Sequence, residues 1–164
     1  MEQVVKLAAT YISATHATYV IGAVMGAGAL PKFLAAAGLG PLPVIAHKLP
    51  SWFWLPCGLW ELAAALLLIK PDLIPLPQYS TLTNGAYLAA SYLGGVMVNN
   101  LVIHPNMSHN LFVAYCLAAV AALFHHKAIP GLDGLALSFL GGVAIGVVFW
   151  LTASGKKASE KKGK

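Results

Sequence analysis

Charge is what this chain has least of. Only 9% of its 164 residues are charged, against roughly a quarter in an ordinary soluble domain. So few charges cannot clothe a water-facing surface, which excludes a conventional soluble enzyme. Arginine is absent altogether, and with it the side chain best suited to bidentate phosphate recognition. The formal net charge of +5 is therefore no nucleic-acid signal, because five of the ten lysines fall in the last nine residues. Cysteine is nearly absent too: Cys57 and Cys116 both lie in apolar segments, which excludes a disulfide framework and reads as two buried, inert thiols. No HExxH, P-loop, strand-linked GxGxxG or GxSxG motif occurs. The histidines at His104 and His109, and at His125 and His126, have no cysteine or carboxylate at ligand spacing, so no metal is expected.

What the chain does have is apolar length. It is 59% hydrophobic, with 16 glycines and 10 prolines, and both of these are commoner in membrane helices than in soluble ones. Five apolar segments follow one another. The first runs from Leu7 to Leu30 and is expected to stop at Pro31; its polar Thr10, Tyr11, Ser13, His16 and Tyr19 mark it as a retained helix rather than a signal peptide. A Gly- and Pro-rich connector covers Lys32 to Pro50. The second segment, Ser51 to Ile69, carries Pro56, where the helix either kinks or starts. After the loop Pro71 to Pro77, the third spans about Thr83 to Ile103 and ends at His104-Pro105. The fourth, Asn110 to Phe124, is short for a full crossing. Asp133 is placed to cap the fifth, Gly134 to Thr152. The expected fold is all-α: an integral membrane bundle of four to five transmembrane helices, one domain over residues 1–155, then a lysine-rich tail over 156–164.

Lysine placement orients it. With five crossings and the tail in the cytosol, seven of ten lysines lie inside, leaving Lys6, Lys70 and Lys127 outside. Trp52, Trp54 and Trp150 then fall at the inner interface, where indoles prefer to sit. The sequon Asn106-Met107-Ser108 lies on the cytosolic side in this topology, so no glycan is expected there.

One residue breaks the apolar pattern. Glu61 stands alone inside the second segment, and an ionised carboxylate at bilayer depth costs ~3 kcal/mol or more unless it is sheltered. His16, about as far into the first segment from the opposite side, is the expected partner, sharing a proton with Glu61 near the midplane. Tyr19, with Thr15 one turn before it, and the Asn99-Asn100 pair are further polar groups that either line a cavity or bond neighbouring helices. Gly22-x-x-x-Gly26 and Gly142-x-x-x-Gly146 read as close-packing helix faces.

Gly58-Leu59-Trp60-Glu61-Leu62-Ala63, followed by an Ala/Leu run, resembles the second helix of the DoxX-like membrane family. Gly28-Ala29-Leu30-Pro31-Lys32-Phe33 is similar to the glycine and lysine that end that family's first helix, and Val102-Ile103-His104 to the end of its third. The resemblance covers residues 20 to 124 and maps the family's Gly/Lys and Glu positions onto Lys32 and Glu61. It implies a four-helix bundle, from which the fifth segment departs, either as an added helix or because the assignment to the family is off. It also implies roles ranging from quinone-coupled redox chemistry to assembly of other membrane proteins, without a settled catalytic set.

Small size, small-residue helix faces and the missing reaction chemistry point first to a non-catalytic accessory or assembly factor. Its partners would be the lipid bilayer and another membrane protein, not nucleic acid. The alternative is a redox component holding a quinone or similar lipid near Glu61 and His16. If the source is eukaryotic, the terminal Lys161-Lys162-Gly163-Lys164 resembles a dilysine retrieval signal of the endoplasmic reticulum.

Overall fold

A computed structural model of the chain describes residues 2–39, 51–70, 81–103 and 107–162. These form six α-helices and, among the described residues, no strand. They are α1 (Glu2–Tyr11), α2 (Ala14–Ala36), α3 (Trp54–Ile69), α4 (Leu82–Val98), α5 (Met107–His125) and α6 (Leu132–Lys162). A 3-10 turn at Ser51–Phe53 leads into α3, and a π-helical turn at Asn99–Ile103 continues α4. Three stretches are long and apolar enough to cross a membrane: Ala14–Ala36, Ser51–Ile69 and Leu132–Leu151. The molecule is thus an all-helical bundle compatible with an integral membrane protein.

The first apolar segment is two helices, not one. Ser13 has extended backbone and its hydroxyl accepts a hydrogen bond from the His16 amide at 3.2 Å, so it caps a new helix instead of extending the old one. The break frees the Ile12 carbonyl, and the His126 ring donates to it at 2.9 Å from the far end of α5. Nor does this helix stop at Pro31. It runs on to Ala36, with Pro31 inside, which corrects the sequence expectation and moves Lys32 from connector into helix. A proline costs the helix one backbone bond, and packing against neighbouring helices offsets that loss in membrane bundles. The chain leaves the helix just past Ala36 at Gly38, whose φ of +71° suits glycine; Leu39 and Gly38 donate back to Leu34 and Ala35.

In α3, Pro56 sits in the first turn, where its missing amide would have had no partner, so no kink is needed. Helix α5 closes with the same backward-bonded motif as α2, Ala128 donating to Leu123 and Lys127 to Phe124. Here a lysine occupies the left-handed position, with φ +58°. Helix α6 passes Thr152, where the fifth segment was expected to end, and stays helical into the lysine tail as far as Lys162. The sequon Asn106, His104-Pro105, most of the first connector (40–50), the Pro71–Pro77 loop and the last two residues lie outside the described residues.

Helices α2 to α5 share one core, built largely from small side chains. Ala17, Ile21 and Met25 meet Ala64, Ala65 and Leu68, then Ala86, Ala89, Ala90 and Leu93, then Cys116, Ala119, Val120 and Leu123. Alanine at these positions lets the helices approach closely. Gly22 packs on Ile69 and Gly26 on Ala65, so α2 and α3 form an antiparallel hairpin; Gly85 sits against Leu67 and Leu68. Helix α6 lies outside this group and packs on α4, running parallel to it: Gly142 against the Ser91 backbone, Gly94 against Phe139 and Val143, Gly146 against Gly95 and Val98. Apolar side chains cover the outside of the bundle, including Leu55, Leu59, Leu62, Leu111, Phe112, Leu137 and Leu140. In water such a surface would aggregate; against lipid it is the expected coat.

Candidate functional site

The hairpin register decides what Glu61 meets. With Gly22 on Ile69 and Gly26 on Ala65, the α2 residue facing Glu61 is Gly28, and Lys32 and Phe33 face Gly58. Glu61 is 4% exposed. The Lys32 ammonium lies 2.7 Å from its Oε2. The geometry there is that of an ion pair, with no aligned hydrogen bond to Oε2. Lys32 reaches this position by folding back along its own helix, and Nζ also donates to the Gly28 carbonyl at 3.0 Å.

Two glycines on opposite helices make room for the pair. A Cβ at Gly28 would stand 2.7 Å from Glu61 Oε1, and one at Gly58 would stand 3.3 Å from the Lys32 Cβ and 3.0 Å from the Phe33 ring. Each glycine therefore lets the opposing charged side chain lie against backbone. A third helix contributes as well. Tyr92 on α4 brings its hydroxyl up to the same carboxylate, and its ring lies 5.3 Å from the lysine ammonium. Cys57, one turn before Glu61 on α3, is half-buried and within electrostatic reach of both charges. Lys32, Cys57, Glu61 and Tyr92 thus form one polar cluster in apolar surroundings. It can hold a proton between carboxylate, phenol and amine, and it ties three helices together.

The expected His16–Glu61 pair does not form. By the hairpin register His16 lies three turns of α2 beyond Gly28, ~18 Å along the axis at 1.5 Å per residue. Its ring instead meets the Tyr115 hydroxyl of α5 at 2.9 Å, in an exposed position. Tyr19 is 57% exposed and points away from the bundle. Asn99 donates to Asn100 at 3.5 Å within the π-helical turn, two turns of α4 beyond Tyr92 and ~10 Å from it along the axis. Trp52 is exposed, and Trp54 is buried against Ala35. Among the described residues no three metal-ligating side chains converge.

Tyr92 and Cys57 are the members that sequence reasoning missed. Cys57 carried a usable signal, since it sits four residues before the lone carboxylate and so on the same face of a helix. Tyr92 carried none, because its role depends on how α4 is rotated against α3.

A groove lies on another side of α4, between α3 and α6, which both flank it. Its volume is about 460 Å³, and its walls include Trp60, Asn84, Tyr87, Ser91, Ser138 and Gly141. Lys32, Cys57, Glu61 and Tyr92 do not line it. The Trp60 indole is fixed in the wall by donating to the Leu88 carbonyl at 3.1 Å, and Phe53 and Phe149, with ring centroids 4.7 Å apart, link the 3-10 turn before α3 to α6 beyond it. No family model, no curated protein and no solved structure matches this chain.

Proposed function

We propose that this chain is a small polytopic membrane protein, similar to the DoxX-like family, that serves as a non-catalytic accessory or assembly factor for a larger membrane protein. This reading takes α4 with its π-helical turn, and α5, as crossings beside α2, α3 and α6. That gives five crossings, with the lysine-bearing end of α6 in the cytosol. The observation that carries the reading is how α6 is attached. Glycines hold it to α4 along one side, and only 11% of its apolar window is buried, against 39% for Ser51–Ile69. A membrane helix hung on the rim of a bundle leaves most of its surface for a neighbour.

Isolation from its native membrane in lipid nanodiscs tests this. The chain is expected at fixed stoichiometry with a larger membrane protein. Ala144→Trp, on the exposed side of α6, should release that protein and leave the bundle folded. A chain recovered alone and monodisperse overturns the reading.

A second reading, a quinone-linked redox component, draws on the meeting of Lys32, Cys57, Glu61 and Tyr92. It requires quinone to co-purify with the wild type and to be lost in Glu61→Gln. Quinone-free protein removes it.

A further inference from the structure

We infer that the groove between α3, α4 and α6 is a binding site for an uncharged, hydroxyl-bearing lipid with a rigid apolar body, the chemistry of a sterol. The inference does not depend on the accessory role proposed above. Ser91 and Ser138 are groove-lining residues, and neither hydroxyl enters a side-chain hydrogen bond among the described residues; the Tyr87 hydroxyl instead lies against Gly134 at the start of α6. In hydrocarbon, a hydroxyl without a partner is costly, and no water is at hand to supply one. Two on facing helices of one groove mark a place where a ligand completes the bonding.

The lining sets the class of that ligand. No residue that lines the groove carries a charge, so nothing there recognises a phosphate or carboxylate head group. Serine hydroxyls both donate and accept. They match a ligand hydroxyl, which does both, better than a quinone carbonyl, which only accepts. The Trp60 and Tyr87 rings offer flat walls to a fused ring system, and the Trp60 wall is held by its bond to Leu88. About 460 Å³ falls within the range of ~300–1,000 Å³ usual for small-molecule sites. The groove is open on the side away from α4, so a ligand would enter sideways from the bilayer.

Gly141 provides the decisive variant. Nothing of the protein lies within 4 Å of where its Cβ would stand, so a leucine there fills groove space without disturbing the helix contacts. The experiment measures retention of radiolabelled cholesterol by the whole chain in nanodiscs, with short-chain ubiquinone and phosphatidylserine as competitors. Wild type should retain one sterol per chain, saturably, against both competitors. Gly141→Leu should abolish that retention without lowering the melting temperature. Ser91→Ala and Ser138→Ala should each weaken it about fivefold, the worth of one hydrogen bond. Undiminished sterol retention by Gly141→Leu overturns the inference, as does displacement by the quinone or by phosphatidylserine.

Discussion

Removing one member of the Lys32–Glu61 pair should cost far more than removing both. At 2.7 Å, two unit charges attract with roughly 6 kcal/mol at an effective dielectric constant of about 20. Desolvation of the two ions costs several kcal/mol each. These opposing terms leave the pair close to break-even. Its loss as a pair is therefore cheap, but a single loss is not, because it strands one charge among apolar side chains. Lys32→Met and Glu61→Gln are each expected to destabilise the bundle by ~3–5 kcal/mol. The double variant should fall within ~1 kcal/mol of wild type, giving a coupling energy of several kcal/mol. Reversible denaturant unfolding in mixed micelles, followed by tryptophan fluorescence, measures all three. Trp60, one residue before Glu61, reports locally. Single variants that each cost under ~1 kcal/mol, or a double variant whose cost equals their sum, would refute the reasoning. His16→Ala is the control: the exposed His16–Tyr115 contact should contribute no more than ~1 kcal/mol.

Three further outcomes follow from particular contacts. Gly28→Ala drives a methyl into Glu61 Oε1 and should cost ~1–3 kcal/mol, a loss that disappears when Glu61→Ala is introduced with it; equal cost in both backgrounds would contradict the cradle. Lys127→Gly should raise stability by about 1 kcal/mol in the same unfolding assay, since glycine tolerates the φ of +58° that lysine does not; a loss of stability would mean the lysine makes a contact of greater worth. Gly142→Ala should push α6 off the Ser91 backbone without melting α2 to α5. Cross-linking between cysteines placed at Phe53 and Phe149 would show it, being efficient in the parent and poor in the variant.

Helix identity was legible in the sequence, and helix ends less so. Apolar length alone located the bundle's helical stretches, because hydrocarbon requires long helical runs and little else. Structure departs from sequence expectation where one residue's effect depends on its tertiary setting. Pro31 reads as a stop, yet packing of α2 on α3 carries the helix past it. That one turn moves Lys32 into the register that faces Gly58. Ser13 reads as one polar residue within a span, yet its backbone geometry starts a second helix, and shortening that span undoes the depth matching of His16 to Glu61. Glu61 itself was legible, since an unsheltered acid in an apolar run demands a partner whatever the fold. Its partner was not, because hairpin register depends on which small residues meet. The groove was invisible for the same reason: its hydroxyls come from α4 and α6, some fifty residues apart in sequence.

The central claim is that lipid, not water, contacts the outer face of these helices. Nitroxide labels at Leu59, Leu140 and Val148, all on exposed positions, test it in nanodiscs through relaxation by oxygen and by a water-soluble nickel chelate. Strong oxygen broadening with protection from the chelate is the expected result at all three sites. Free access of the chelate to all of them would contradict the account.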